Sequence, residues 1–416
     1  MNRIILIGNG FDLAHGLKTS YADFLNWYWE KRVIELRTTL SNISRDILCT
    51  LEINTDYFKT WHLFFYLQGH ELKDMTGKEI VSVFSRDKTI FRVSKSGFFS
   101  RISGSDPQWS NIEYAYYRLL FPHDIDASLS YKDKPSELNE QLAFVRGKLI
   151  EYLTVIQNEK IIKSIAQQSI KEKLFAPIRK KDIAVGSFHN WEEMIDQHLS
   201  YSSETWQEIA STYGVSYTDY LNIDHLVHDN PEKIRRIGIE NLHGTYIPDA
   251  FFLPDRIKLL NFNYTNTADL YIDKCDRLGV NHIHGELTNP ESVVFGYGDE
   301  LDENYKKIVN KNDNEYLRNI KSVKYLESPN YRDLLAFIES DTYQIFIMGH
   351  SCGNSDRTLL NTLFEHRNCV SIKPFYHKWD DGTDNYMELV QNISRNFTDM
   401  KLMRDRVVNK TFCETI

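Results

Sequence analysis

The sequence predicts an α/β protein: a Rossmann-like parallel sheet with helices on both faces, plus a large, mostly helical insertion. Three observations lead to this prediction. Arg3–Ile7 is a β-branched and aliphatic run that stops at glycine, as a strand buried on both faces does. Similar runs alternate with helical patterns in the last third of the chain, and each ends on a small or polar cluster. Strands that alternate with helices form right-handed parallel crossovers.

The first strand leads into the glycine turn Gly8-Asn9-Gly10, and a loop is expected over Leu13–Thr19. Ser20 and Asp23 have the spacing of a capping box, in which each side chain accepts a hydrogen bond from the other residue's backbone NH. The first helix is therefore expected to begin near Ser20. This leaves a long loop over the strand end, and long ordered loops in compact domains are commonly functional.

Apolar runs in the last third of the chain predict the remaining strands. They are Ile257–Leu260, Val280–Ile283, Ser292–Phe295, Gln344–Met348 and Cys369–Ile372. A helix is predicted from Thr267, with Cys275 on its apolar side and Gly279 at its carboxyl end. Further helices are predicted after Asn354 and over Tyr386–Phe397. The amino-terminal strand is expected to join this set in one sheet.

The domain boundaries follow from where strand patterns occur. Residues 1–30 and 251–416 are predicted to form the core that contains the sheet, and residues 31–250 a mostly helical insertion that serves as a lid or interaction domain. Within the insertion, Leu138, Leu142 and Val145 belong to a three-and-four spacing that predicts a long amphipathic helix. A chain of 416 residues is long for a single core, which agrees with this division.

Composition and charge exclude several classes of protein. Hydrophobic residues make up 42% and charged residues 26%, which is typical of a globular chain. The net charge of −9 disfavours non-specific nucleic-acid binding, because such binding depends on neutralising phosphates. No apolar run approaches the ~20 residues that span a bilayer, so no membrane partner is expected. The five cysteines include no C-x-x-C pair, which favours a reducing compartment and a cytoplasmic location.

Small and polar residues follow the predicted strands. They are Gly8-Asn9-Gly10, Asn261–Thr265, His284-Gly285, Gly296–Asp299 and Gly349–Ser351. In a parallel sheet such ends share one edge, where open α/β sheets bind their ligands, so the set predicts a nucleotide-sized crevice. A hydride-transferring dehydrogenase is disfavoured, because Leu13 occupies the third glycine position of the G-x-G-x-x-G motif.

Two motifs carry a resemblance to a known family. The stretch I-L-I-G-N-G-F-D-L-A-H-G-L, followed by T-S-Y-A-D-F, closely resembles the AbiH-type abortive-infection proteins that defend bacteria against phage. The motif W-S-N-I-E, which ends at Glu113, also resembles that family, and Glu113 is expected to close the pocket. The resemblance implies an antiphage protein with a phage-derived trigger. The insertion would supply sensing, a lid or the contacts of a homo-oligomer.

A more distant resemblance concerns the chemistry. The order G-x-G, N-F-N-Y-T, I-H-G, V-V-F-G and G-H-S is similar to that of sirtuin-like NAD-binding domains, including bacterial defence NADases. It implies a sirtuin-like sheet that binds NAD or a related nucleotide and cleaves its glycosidic bond. Thr265 stands where sirtuins usually have Asp, and Asn9 and Asp12 replace small residues of their first loop. The zinc-binding cysteines of sirtuin deacylases are absent, which argues against deacylation, and no metal is expected.

The resemblance also implies roles for individual residues. Asn263 matches the asparagine of the T-x-N motif and His284 the histidine of the H-G motif, which serve NAD cleavage in that family. An imidazole suits this chemistry because its pKa of about 6.5 makes it a base near neutrality. Asp12 would stabilise the cation that forms or bind a ribose hydroxyl. The residues expected to contact the nucleotide are Gly8, Asn9, Gly10, Phe11, Glu113, Gly349, Ser351 and Asp356.

Simpler interpretations of these residues stay open. A histidine at a strand end is commonly a hydrogen-bonded structural residue, and Asn263 is of a type that caps helices. Asp12 is typical of turns, where its carboxylate accepts bonds from loop amides, and Ser351 and Asp356 are typical of helix starts. In that case the crevice would hold a nucleotide as a signal or structural ligand, without turnover.

A metal site matches one short pattern. His282, His284 and Glu286 alternate, as zinc ligands on one face of a strand can. Gly285 interrupts that strand and no further histidine-rich partner is evident, so this hypothesis is disfavoured.

A serine hydrolase matches another pattern. Gly349–Gly353 has the G-x-S-x-G form of a nucleophile elbow, with Ser351 as the nucleophile between a predicted strand and helix. In that fold an acidic residue and then a histidine follow the serine, whereas here no histidine follows the acidic residues Asp380, Asp381 and Asp384.

Overall fold

The computed structural model describes residues 1–38, 43–53, 79, 82, 91–104, 109–121, 134–240, 247–272 and 277–416. Its strands are β1 (Asn2–Ile7), β2 (Ile43–Arg45), β3 (Cys49–Ile53), β4 (Phe91–Lys95), β5 (Ile257–Asn261), β6 (Leu278–His282), β7 (Tyr343–Met348) and β8 (Cys369–Phe375). Five of them form an all-parallel sheet in the order β6-β5-β1-β7-β8, which confirms the predicted α/β class. The other three form an antiparallel sheet in the order β2-β3-β4.

The α-helices of the described residues are α1 (Asn9–Ala14), α2 (Tyr21–Thr38), α3 (Gly97–Ile102), α4 (Trp109–Leu119), α5 (Pro135–Lys160), α6 (Gln168–Leu174), α7 (Phe188–Leu199), α8 (Ser203–Tyr213), α9 (Tyr217–Asp229), α10 (Pro231–Glu240), α11 (Glu303–Val309), α12 (Lys321–Lys324), α13 (Asn330–Ser340), α14 (Arg357–Glu365), α15 (Tyr386–Arg395) and α16 (Met400–Arg406). Within the described ranges, none of them combines the length and the apolar character that crossing a membrane requires.

Helices cover the parallel sheet on both faces, because successive side chains of a strand point to opposite sides. Ile4 and Leu6 of β1 belong to one apolar cluster, together with residues of α13, α14 and α15. Ile5 and Ile7 belong to another cluster, together with Phe11 of α1 and residues of α6. Double coverage explains why β1 is an unbroken apolar run rather than an alternating one.

The strand order brings the two extremities of the chain together. β1 lies at the centre and pairs with β5 on one side and β7 on the other. From β1 the chain continues outward to β5 and β6, and it then returns to the other side for β7 and β8. The direction of winding therefore reverses between β1 and β7, so the carboxyl ends of these two strands flank the switch point.

The predicted loop after β1 is partly wrong, because the short helix α1 begins at Asn9, directly after Gly8. It covers six residues and is followed by Gly16, which has a φ of +74°. The predicted capping box is confirmed. The NH of Asp23 donates to Oγ of Ser20 at 3.1 Å, and the NH of Ser20 donates to Oδ2 of Asp23 at 3.2 Å. Helix α2 begins directly after Ser20, at residue 21.

Four of the five strands predicted in the last third are confirmed, and one is wrong. Ser292–Phe295 is buried in part but irregular, because the NH of Val294 donates to the carbonyl of His284 in a turn rather than to a neighbouring strand. Gly279 lies within β6 and does not end a helix. The predicted helix is a 3₁₀ turn over Thr267–Tyr271, and its continuation with Cys275 lies outside the described residues.

The described residues between 31 and 250 contribute to two apolar cores. Helices α2 to α5 and strand β3 share one core, which includes Trp29 and Leu142. Helices α7 to α10 share another core, which includes Trp191 and Trp206. The antiparallel sheet of β2, β3 and β4 was not predicted. The boundaries of the insertion stay a prediction.

Candidate functional site

A cavity of about 450 Å³ lies at the carboxyl edge of the parallel sheet. Residues that follow each of the five parallel strands line it. Of the residues singled out in the sequence, those that line the cavity are Gly8, Asn9, Gly10, Asp12, Glu113, Asn263, His284, Gly349, Ser351 and Asp356. Phe11 is not among them, because its ring is buried against His15 and Tyr271 beside the sheet.

Glycines allow the turns after β1 and β7 to touch backbone to backbone. A Cβ added to Gly8 would lie 2.5 Å from Cα of His350, and one added to Gly10 would lie 2.8 Å from Cα of Gly349. Gly349 has a φ of +78°, and a Cβ there would overlap the backbone nitrogen of Phe11. The NH of Gly10 already donates to the carbonyl of Gly349 at 2.9 Å. The glycines thus serve close packing at the switch point, which a phosphate-binding role alone would not require.

Asp12 is a buried carboxyl group with one unpaired oxygen. Its side chain is 1% exposed, and Oδ2 accepts a hydrogen bond from Oγ1 of Thr265 at 2.6 Å. Oδ1 has no hydrogen-bond partner in the part of the chain that the structure describes. Burial raises the pKa of Asp12 from 3.8 to about 6, although the hydrogen bond from Thr265 lowers it. Asp12 therefore changes charge near neutral pH.

Asn263 connects the ends of β5 and β1. Its side-chain Nδ2 donates to the carbonyl of Gly8 at 3.0 Å, and its backbone NH donates to Oδ1 of Asn261 at 3.1 Å. It does not cap the following 3₁₀ turn, whose N-cap residue is Asn266. The interpretation of Asn263 as a helix cap is therefore wrong. Asn263 lies in the cavity wall, and its side chain binds the turn after β1.

His284 is held by a carboxylate and a phenol. Its Nε2 lies 3.2 Å from Oδ1 of Asp356 and 3.2 Å from the hydroxyl of Tyr325, and its ring packs edge-on against Phe262. Burial and the nearby Lys321 ammonium lower the pKa of His284, while Asp356 opposes this shift. The neutral imidazole therefore carries its proton on Nε2, facing the carboxylate, and keeps a lone pair on Nδ1.

A buried lysine joins two carboxylates from distant parts of the chain. Nζ of Lys321 donates to Oε2 of Glu113 at 2.9 Å and to Oδ1 of Asp356 at 2.8 Å. Burial alone would lower the pKa of Lys321, but the two carboxylates raise it. Burial opposes ionisation of Asp356, yet Lys321 and His284 hold its pKa well below the usual range. Burial raises the pKa of Glu113 to about 7, against the effect of Lys321.

The segment after β7 does not assemble a serine-hydrolase triad in the described residues. The hydroxyl of Ser351 makes no hydrogen bond to a histidine there. Nδ1 of His350 accepts a bond from the NH of Cys352 at 3.1 Å, and its Nε2 lies 3.6 Å from Oδ2 of Asp356. The strained φ of +54° belongs to Cys352 rather than to the serine. The hydrolase interpretation therefore gains no support from this geometry.

The two histidines of the H-x-H pattern face different partners. Nε2 of His282 lies 3.2 Å from Oδ2 of Asp269, whereas His284 faces Asp356. Across the described residues, no three His, Cys, Asp or Glu side chains are grouped as metal ligands.

Several residues of the site were not predicted from the sequence. His350 stands between Gly349 and Ser351, so its position in a strand-end motif was a usable signal. Lys321 and Tyr325 carry no such signal, because the segment that contains them has neither a motif nor a clear strand before it. Trp379 follows the predicted strand Cys369–Ile372, but it stands several residues beyond the strand end. All three join the site only through tertiary contacts.

Comparisons with known proteins place this chain in a family. The family model described as Bacteriophage abortive infection AbiH matches residues 4–377, which include every cavity-lining residue except Trp379, Asn385 and Glu388. No curated protein and no solved structure matches the chain. The match covers most of the sequence, and the chain therefore belongs to the bacteriophage abortive infection AbiH family.

Proposed function

We propose that this protein acts in abortive infection by binding an NAD-type nucleotide in the cavity and cleaving its glycosidic bond. One observation carries the proposal: Asp12, Asn263 and His284, from distant parts of the sequence, line a single cavity at the edge of the sheet. That cavity lies where the winding reverses, at the carboxyl ends of the strands. When the five parallel strands are numbered 1 to 5 in the order in which they occur along the chain, their order across the sheet is 3-2-1-4-5. The first part of this order is that of doubly wound nucleotide-binding sheets.

The chemistry would use each of these side chains. Water attacks the ribose carbon, the bond to nicotinamide breaks, and the products are nicotinamide, ADP-ribose and a proton. The lone pair on Nδ1 of His284 accepts the proton of the water, while Asp356 holds the ring in place. The carboxylate of Asp12 stabilises the positive charge that develops on the ribose, and Asn263 orients the ribose or the water.

The charge of the cavity wall supports these roles of the side chains. Lys321 is the single Lys or Arg among the lining residues that the structure describes, and it is already bound to Glu113 and Asp356. The cavity wall is therefore richer in carboxylates than in cations. Such a wall favours a cationic nicotinamide ring and a developing oxocarbenium ion, and it leaves the phosphates to backbone NH groups and solvent.

The direct test is release of nicotinamide from NAD by the purified protein and two variants. We expect release by the wild type and a loss of about 100-fold or more in His284→Ala, because general-base catalysis contributes about 10²–10⁴-fold. A comparable loss is expected in Asn263→Ala. His282→Ala is the matched control, since that ring lies outside the cavity lining. Equal rates in all four proteins, or no release in the presence of phage components, would remove the catalytic assignment.

Asp356 is proposed as a positioning residue, and its variant tests the arrangement of the base. Asp356→Asn keeps the shape of the side chain but removes the charge that orients the imidazole and raises its pKa. We expect the rate to fall by about 100-fold and the acidic limb of the pH–rate profile to move to lower pH. An unmoved profile would assign Asp356 to structure alone.

A second candidate function is binding without turnover. It is favoured by the burial of His284, which is 4% exposed and lies in a wall of mutually paired groups. Calorimetric binding of NAD, followed by recovery of the unchanged nucleotide, would support it.

A further inference from the structure

The turn after β8 carries an exposed tryptophan at the cavity. Trp379 is 46% exposed, and it lines the same cavity as the turn after β1. The turn is held by hydrogen bonds: the NH of Trp379 donates to the carbonyl of Thr383 at 2.9 Å, and the NH of Gly382 donates to the carbonyl of Trp379 at 3.0 Å. The ring of His377 packs edge-on against Trp379, with centroids 5.2 Å apart. The indole is therefore presented on a structured turn.

A carboxylate also lies on this side of the cavity. Glu388, in the first turn of α15, lines the same cavity, and its carboxylate has neither a hydrogen bond nor an ion pair within the described residues. Asn385, which also lines the cavity, is committed to the turn, because its Oδ1 accepts a bond from the NH of His377 at 2.7 Å. An aromatic face and an unpaired carboxylate therefore lie on this side of the cavity.

This side lies opposite His284 across the sheet. His284 follows β6 at one edge, and Trp379 follows β8 at the other. Four strand-to-strand steps of roughly 4.8 Å separate these edges by about 19 Å, before side chains reach inward. A mononucleotide, whose ribose and base are adjacent, can occupy one end of such a cavity. A dinucleotide can occupy both.

We propose that Trp379 and Glu388 form a second nucleoside subsite, which binds the adenosine end of a dinucleotide whose other end is next to His284. The indole of Trp379 stacks on the adenine ring, and the carboxylate of Glu388 accepts hydrogen bonds from the hydroxyls of the adjacent ribose. This inference rests on the proposed function, and it adds a preference for dinucleotides over mononucleotides.

The exposure of Trp379 is not by itself evidence for a binding site, because folded proteins expose many apolar atoms. Tyr217 on α9 is 72% exposed and does not line the cavity. Trp379 differs from it in three respects: it borders the cavity, it is held by a hydrogen-bonded turn, and it has an unpaired carboxylate nearby. Tyr217→Ala is therefore a matched control for the loss of an exposed aromatic ring.

The test is calorimetric titration of NAD, AMP and nicotinamide mononucleotide into the wild type, Trp379→Ala, Trp379→Phe and Tyr217→Ala, each with His284→Ala added so that no probe is cleaved during the titration. We expect Trp379→Ala to bind NAD and AMP about 10-fold more weakly, which corresponds to about 1.4 kcal/mol and lies within the range for stacking of one base. Trp379→Phe keeps a stacking ring and should stay within about 3-fold of the wild type. Nicotinamide mononucleotide should bind equally to all four proteins. A further variant, Glu388→Gln, should weaken the binding of AMP more than the binding of nicotinamide mononucleotide.

The outcomes separate this inference from the proposed function. If the wild type binds AMP and Trp379→Ala binds it equally well, the second subsite is overturned while the proposed function stands. If the wild type binds nicotinamide mononucleotide and not AMP, the second subsite is again overturned alone. If the wild type binds none of the three probes, both proposals are overturned.

Discussion

The cavity has two walls that are built in different ways. The first, the strand-end wall, consists of Gly8–Gly10, Asp12, Asn263–Thr265 and Gly349–His350. It is held by backbone contacts between strand ends, which the three glycines permit. The second, the charged wall, consists of Glu113, Lys321, Asp356 and His284. It is held by buried ion pairs between side chains of α4, α12, the turn after β6 and the turn before α14.

This difference has physical consequences. Backbone packing does not depend on protonation, but it tolerates no added Cβ, so the glycine contacts of the strand-end wall should be insensitive to pH and sensitive to size. Burial raises the pKa of Asp12 to about 6, so this side chain is the pH-dependent part of that wall. Buried ion pairs depend on the charge of every member, because removing one partner leaves the other unpaired in a medium of low polarity. The charged wall should therefore respond to pH and to loss of charge. Four substitutions test this contrast, and the expected loss of stability decreases from the first to the last.

Gly349→Ala should be the most damaging change, because the added Cβ meets the backbone of Phe11 and the φ of +78° is also unfavourable. We expect a loss of about 5 kcal/mol in the free energy of unfolding, or no soluble protein. Gly214→Ala is the matched control, since Gly214 has a φ of +67° with nothing within 4 Å. It should cost about 1–2 kcal/mol. Urea unfolding measures both, and equal losses would contradict a packed strand-end wall.

Lys321→Met tests the charged wall, because it leaves the carboxylates of Glu113 and Asp356 buried without their cation. A loss of about 3–4 kcal/mol is expected in the free energy of unfolding at pH 8. The control is Lys324→Met, which breaks a largely exposed ion pair with Glu327 and should cost less than about 1 kcal/mol. Similar losses for the two variants would mean that the buried pairs contribute no more than surface ones.

Glu113→Gln should change how stability depends on pH. Burial raises the pKa of Glu113 from 4.5 to about 7, so its contribution to stability is full below pH 4.5 and is lost as the pH rises through about 7. Between pH 5 and 8, the wild type should therefore lose roughly 2 kcal/mol more than the variant, which cannot ionise there. Parallel stability profiles for the two proteins would contradict a raised pKa at this position.

Asn263→Ala should have the smallest effect on folding. It removes one hydrogen bond to the carbonyl of Gly8, at a side chain that is half-buried, and about 1 kcal/mol is expected. Asn190→Ala, at a half-buried site on α7, removes only an exposed hydrogen bond to Glu193 and should cost less than about 0.5 kcal/mol. A loss above about 3 kcal/mol would mean that Asn263 is mainly a structural residue, and its effect on nicotinamide release would then need no catalytic explanation.

The two walls also differ in how far they could be predicted from the sequence. The strand-end wall was predicted because the ends of parallel strands share one edge, so Asp12 and Asn263 had to lie at that edge once the strands were found. Lys321 could not be predicted, because its partners Glu113 and Asp356 lie 208 and 35 residues away. No local pattern records such a contact.

The predictions about the fold that were wrong or missing have local causes. Ser292–Phe295 has the composition of a strand, but its NH groups pair with turns, and composition does not reveal hydrogen-bond partners. Helix α1 was missed because its six residues begin with Asn9-Gly10, which is a turn pattern. The small antiparallel sheet was missed because β2 has only three residues and alternates exposed and buried side chains over too short a span.

A crystal structure of His284→Ala, grown with NAD, tests nucleotide binding at the edge of the sheet most directly, because this variant is not expected to cleave its ligand. We expect the nucleotide to cross the switch point between β1 and β7. The nicotinamide ribose should lie beside Asp12 and Asn263, and the adenine should extend toward Trp379. NAD bound at another surface, or an empty cavity at concentrations where calorimetry shows binding, would contradict it.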